Sequence, residues 1–137
     1  MNQVKPSAVT PFLTFTGQAE EAMKLYTSVF ENSEIIRITR YGPGEHGEEG
    51  SVMHASFSLN GQAFMCIDSS VKHDWTFTPA ISLHSFFETE EEIQRVYEEL
   101  SRGGQILMPL ASYPFSKMFG WISDRYGVTW QLQLTDS

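Results

Sequence analysis

The sequence predicts an α+β fold: two β-α-β-β-β modules whose curved mixed sheets surround a cavity. Three observations carry that reading. Alternating apolar and polar stretches bracket two amphipathic segments of helical period; strong turn signals separate the later strands; and the two halves match each other. Phe15, Ala22, Leu25, Tyr26, Val29 and Ile35 fall on Phe86, Ile93, Val96, Tyr97, Leu100 and Ile106 at an offset of 71 residues. In the hairpins the offset becomes 66, with Gly61 on Gly127 and Phe64 on Trp130. A longer glycine-rich loop in the first half absorbs the difference.

The elements follow in order. Val9 to Phe15 alternates as a half-buried strand does, and Gly17 to Phe30 is a helix with acids at its amino end, where the helix dipole favours them. Asn32 and Ser33 stop that helix. Ile35 to Tyr41 alternates again, and residues 42–50 form a polar, glycine-rich loop. Val52 to Leu59 and Ala63 to Ile67 are strands joined by Asn60-Gly61, a two-residue hairpin signal. In the second half Thr78 to Phe87 is a strand, Thr89 to Ser101 an acid-led helix, and Gly103-Gly104 its stop. Gln105 to Leu110 is a strand and Ala111 to Lys117 a loop. Phe119 to Ser123 and Val128 to Leu134 pair around Tyr126-Gly127. The modules span about 8–68 and 78–135, linked by 69–77, in a single domain of 137 residues.

Composition narrows the function classes. A chain that is 41% hydrophobic and 13% aromatic is not a disordered one, and no apolar run approaches the ~20 residues of a membrane span. The formal charge of −8 repels phosphate backbones and anionic lipid, so neither nucleic acid nor membrane is an expected partner. Cys66 is the one cysteine, and the opening MNQVKPSAV lacks the layout of a signal peptide, so the expected location is the cytoplasm.

Each module has one helix for one sheet face, so its other face needs a different cover. A second module can supply it, and the enclosed concave space is where a small ligand would sit.

The opening run Thr10-Pro11-Phe12-Leu13-Thr14-Phe15-Thr16-Gly17, with Ala19-Glu20-Glu21-Ala22 and Leu25-Tyr26, resembles the start of the PhnB-like branch of the vicinal oxygen chelate superfamily. The closing run from Phe119 to Trp130 is similar to its last hairpin, and Val52-Met53-His54-Ala55 and Gly103-Gly104 extend the likeness over nearly the whole chain. The resemblance implies paired modules, homodimers, and relatives among glyoxalases, extradiol dioxygenases, and fosfomycin and bleomycin resistance proteins. Members of this branch often carry a demethylubiquinone methyltransferase label. The sequence argues against that activity, because it has no glycine-rich strand-to-helix loop and no acidic ribose partner for a nucleotide-like cofactor.

Metal-using relatives hold a divalent ion on the first and last strands of the modules. The matching positions here are Thr10 or Pro11, Ile81 or Ser82, Met65 and Gln131, which make no strong ligand set. A relocated divalent metal centre would draw on His54, Asp68 and His84, two imidazoles and a carboxylate on predicted strands. Against it, His54 alternates with Ser56 and Ser58 as a lining residue would, Asp68 suits a turn cap, and a one-residue slip would turn His84 to the opposite face. For a small-molecule ligand the candidates are His54, Tyr113, Phe115, Trp121, Thr129 and Gln131; the polar row Thr129, Gln131 and Gln133 alternates with apolar neighbours. Lys117 and Arg125 are loop or turn cations. Two functions stay open: a homodimer that binds a small, partly polar molecule, and a metal-dependent lyase, isomerase or dioxygenase-like enzyme.

Overall fold

The structure is a computed structural model that describes residues 8–135. Most of the opening stretch read for a leader, residues 1–7, lies outside the described residues. The order is β1 (Phe12–Phe15), α1 (Ala19–Val29), β2 (Ser33–Arg40), β3 (Val52–Leu59), β4 (Gln62–Asp68), β5 (Leu83–Phe87), α2 (Glu90–Ser101), β6 (Gln105–Tyr113), β7 (Ser116–Ser123) and β8 (Thr129–Leu134). The chain divides between His73 and Asp74 into two compact units. Each carries one helix and one four-stranded mixed sheet, in the orders β1-β4-β3-β2 and β5-β8-β7-β6. The outer pairs β1·β4 and β5·β8 are parallel and the others antiparallel. Among the described residues no helix is long and apolar enough to cross a membrane.

In the first unit α1 buries Ala22, Met23, Tyr26 and Val29, recurring at helical spacing, against one sheet face. Tyr26 meets Phe57 at 6.3 Å between ring centroids, and Phe57 stacks on its cross-strand partner Phe64 at 5.1 Å. Full burial of side chains of this size stabilises by about 1.5–3 kcal/mol each. Asn60 and Gly61 both take positive φ, as a two-residue turn matched to strand twist requires. In the second unit Ile93, Val96 and Leu100 of α2 are buried. Thr89 caps the helix by accepting the Glu92 backbone N–H at 3.2 Å.

Three boundaries differ from expectation. The strands predicted over Val9 to Phe15 and Thr78 to Phe87 are shortened to Phe12–Phe15 and Leu83–Phe87. Pro11 and Pro79 lie in the lost parts and have no N–H for a ladder, although the Pro11 carbonyl still accepts the Met65 N–H at 3.0 Å. The loop predicted over Ala111 to Lys117 is instead the end of β6, a Pro114-Phe115 turn and the start of β7, with Tyr113 paired to Ser116. Register shifts interrupt β6 at several points, and this irregularity removes the period-2 signal.

The two-fold pattern is present, with a one-residue correction. Phe12 pairs with Met65 and Phe15 with Asp68; the equivalent pairs are His84 with Gln131 and Phe87 with Leu134. Phe15 therefore corresponds to Phe87, both buried, and Phe86 is 58% exposed. The strand-to-helix connection is one residue shorter in the second unit, 88–89 against 16–18, so the true strand offset of 72 becomes 71 in the helices.

Candidate functional site

Sheet faces follow from the pairing. In the second unit a Cβ on Gly120 would meet the Tyr97 ring of α2 at 3.3 Å, so the even-numbered residues of β7 face the helix. Phe119, Trp121 and their cross-strand partners take the opposite, open face. Two rows cross it: His84, Gln131, Trp121 and Met108; then Phe86, Gln133, Phe119 and Ala111.

The upper row is held by hydrogen bonds. The Trp121 indole N–H donates to Ser82 Oγ at 3.0 Å, and Ser82 Oγ lies 3.1 Å from Thr129 Oγ1. The Thr129 hydroxyl donates to the Ile81 carbonyl. Thr129 is 2% exposed, on the same face as Gln131, and its hydroxyl is engaged with Ser82 and the Ile81 carbonyl, so it is joined to Trp121 through Ser82. His84 Nε2 lies 3.0 Å from Gln133 Oε1 and donates to it, which leaves Nδ1 as an acceptor in the neutral ring.

The lower row is aromatic. His84 stacks on Phe86 at 4.7 Å with 13° between planes. At the β6–β7 turn Tyr113 stacks on Phe115 at 5.6 Å, and both stand edge-on to Phe119, at 6.0 and 5.0 Å. The Tyr113 hydroxyl donates to the Pro109 carbonyl at 2.7 Å, which fixes the near stack. Phe86 and Phe115 are each 58% exposed.

The first unit has an open face of different chemistry. Phe57 and Phe64 face α1, so His54 and Met65 point the other way. His54 pairs with Thr39 and lies 6.3 Å from Phe12, between ring centroids. Asp68 lies on the α1 side of this same sheet, 3% exposed. Its Oδ1 accepts Gly17 N–H at 2.8 Å and Ala19 N–H at 2.9 Å, and its Oδ2 accepts Val52 N–H at 3.0 Å.

The metal trio is thus not assembled. His54 and Asp68 project from opposite faces of one sheet, Asp68 has its oxygens committed to three amides, and His84 has its Nε2 on Gln133. Among the described residues no three His, Cys, Asp or Glu side chains gather as a cation site. His54, Asp68 and His84 do not make a donor set for a divalent ion.

Of the ligand candidates, Tyr113, Phe115, Trp121, Thr129 and Gln131 come together on the second unit's open face, while His54 is on the first unit. Phe86, Gln133 and Ser82 belong with them. Gln133 was visible in the alternation of β8, but Phe86 was hidden because a slip of one residue places it on the core side.

Burial pushes the Cys66 thiol up to about 12, with the nearby Asp68 charge adding to the effect. It is no nucleophile at neutral pH.

The family model described as 3-demethylubiquinone-9 3-methyltransferase matches residues 7–133. A solved structure of the PhnB protein of Bacillus cereus, which carries the same methyltransferase label, is 60% identical over 94% of this chain and 100% of that one, with a TM-score of 0.93. Protein PA1353 of Pseudomonas aeruginosa is 23% identical, covering 94% of this chain and 98% of that one, with a TM-score of 0.82. The fosfomycin resistance protein FosX of Listeria monocytogenes shares the fold at 12% identity, 93% and 91% coverage and a TM-score of 0.63. Among curated proteins nothing matches.

Proposed function

This chain belongs to the 3-demethylubiquinone-9 3-methyltransferase family, the PhnB-like branch with the glyoxalase/bleomycin resistance fold, and from that membership we propose that it is a small-molecule-binding protein. The ligand sits on the open face of the β5-β8-β7-β6 sheet. The observation that carries this reading is the meeting of ordered, water-exposed rings, Phe86 and Phe115, with half-buried polar side chains in register, Gln131 and Gln133. Aromatic walls around a few placed polar groups are what a small-molecule site needs.

The methyl transfer in the family's description is not part of this reading. A nucleotide-like cofactor such as S-adenosylmethionine is generally bound at a glycine-rich strand-to-helix turn with backbone amides to spare. Here the Gly17 and Ala19 amides are taken by Asp68, and the Glu92 amide by Thr89. Both turns thus spend amides on the chain's own side chains.

In this reading the protein is a cytoplasmic homodimer. Exposed apolar side chains on its strands, Phe12 and Ile106, support a partner surface. Light scattering tests the dimer.

The ligand proposal is tested by melting the protein against a chemically diverse metabolite panel. At least one compound is expected to raise the melting temperature, and Phe86→Ala is expected to abolish that rise. A chelator should leave it unchanged. A panel without any stabilising compound, or a rise that survives Phe86→Ala and disappears in His54→Ala, would overturn the reading.

A further inference from the structure

Resting on the ligand reading above, we propose that the open face of the second unit selects a flat, uncharged heteroaromatic ring with a lactam-type edge, an N–H beside a C=O, and that Gln131 reads this edge.

The argument starts from unequal use of the two glutamines. Gln133 gives its Oε1 to His84. Gln131, directly opposite His84 on β5 and Trp121 on β7, makes no side-chain hydrogen bond among the described residues. The residue is half-buried. Its carboxamide presents one acceptor and two donors in a single plane, and leaving them unmet under a bound ligand costs about 1–3 kcal/mol. A ligand that supplies one donor and one acceptor side by side, also in a plane, meets both at once. A lactam edge does this; a lone carbonyl, a lone amine or a hydrocarbon does not.

The neighbours restrict the rest of the ligand. Phe86 stacked on His84 and Phe115 stacked on Tyr113 offer ring faces, which favour a flat molecule in offset contact. The polar side chains in and beside the two rows, Ser82, His84, Thr129, Gln131 and Gln133, include no carboxylate and no lysine or arginine. An ionised ligand seated on these rows would lose water without gaining a counter-charge from them; Lys117, at the exposed start of β7, lies outside the rows.

The test uses isoquinolinone, a flat bicyclic lactam, beside its N-methyl derivative, isoquinoline and naphthoate. Each is titrated into the full chain, labelled for amide detection by NMR. Isoquinolinone is expected to shift the Gln131 side-chain amide signals and to bind about tenfold more tightly than its N-methyl derivative, the loss expected when one buried partner goes unmet. Gln131→Leu should erase that preference, and Phe86→Ala should weaken all the flat probes alike. Equal binding of the lactam and N-methyl forms, tighter binding of naphthoate, or lactam binding that leaves the Gln131 signals in place would overturn the inference. If no probe binds while the metabolite panel yields a ligand of other chemistry, the lactam assignment fails and the small-molecule reading stands. If the panel is also silent, both fail.

Discussion

The carboxylate of Asp68, the last residue of β4, accepts the backbone N–H of Ala19, the first residue of α1, at 2.9 Å. The preceding Gln18 gives this helix no side-chain cap, so a residue from across the sheet does the capping. The same carboxylate holds Gly17 and Val52, and so joins three segments of the first unit.

Asp68→Ala would leave the buried amides of Ala19 and Val52, and the part-buried amide of Gly17, without their acceptor. Charged hydrogen bonds of this kind make the expected loss about 3–4 kcal/mol, measured by urea unfolding. Asp68→Asn, which keeps one acceptor oxygen, should lose about half as much. A metal-ligand role for Asp68 would instead leave the stability of chelated protein unchanged.

Arg40 on β2 forms a two-point pair with Glu20 on α1, its Nη2 lying 2.9 Å from Oε2. The Arg40 hydrogen bond holds the Glu20 carboxyl below its usual value, against a smaller opposing effect of burial; Lys24 adds to the lowering. A lowered folded pKa means stability that is present above the unfolded value of 4.5 and lost as pH falls through the folded one. Glu20→Gln is therefore expected to lower the melting temperature by about 1–2 °C at neutral pH and low salt. The difference should shrink progressively as pH falls below 4.5, and also in 1 M salt.

Cys66 is fully buried on the α1 side of its sheet, paired with Leu13 and Ala55. Its thiol, held up at about 12, stays protonated in the folded chain, whereas the unfolded thiol ionises near 9.0. A raised folded value gives stability that is complete below pH 9 and lost as pH rises towards 12. Ellman's reagent should leave the native protein unlabelled at pH 8 and label one thiol per chain in urea. Cys66→Ala should flatten the fall of stability above pH 9. Rapid labelling of the native protein would contradict the burial argument.

What the sequence reveals depends on whether a signal is local. The Asn60-Gly61 turn and the α2 stripe of Ile93, Val96 and Leu100 are encoded within a few residues, and both are legible. The facing of a strand is not local, because adjacent residues on β5 differ only in side. Phe86 and Phe87 are the same side chain, and only pairing with Gln133 and Leu134 shows that the first is open and the second core. The task given to Asp68 was equally hidden, since its partners are 16 to 51 residues away. The alternation of β8 reports that Thr129, Gln131 and Gln133 share a face, but not that the Thr129 hydroxyl is engaged with Ser82 and the Ile81 carbonyl, 47 and 48 residues away.

Gly103 and Gly104 stand together after α2 but are needed for different reasons. Gly103 takes φ of +80°, the left-handed turn that ends a helix, and a Cβ there would meet only the side chain of Arg125, at 3.4 Å. Gly104 has no positive φ. A Cβ on it would lie 2.0 Å from the Ser123 carbonyl oxygen and under 3 Å from the Asp124 backbone, where β6 begins beside β7. Asp124 is itself anchored: its carboxylate accepts the Tyr126 and Val128 amides and the Trp130 indole N–H. The backbone facing Gly104 therefore cannot retreat as a flexible side chain would. Gly103→Ala should cost about 1 kcal/mol, the usual penalty for a left-handed alanine. Gly104→Ala should cost about 3 kcal/mol or more in urea unfolding, because the β6–β7 edge must separate to admit one methyl group. An equal loss from the two changes would mean that helix termination, rather than close strand approach, is what both glycines serve.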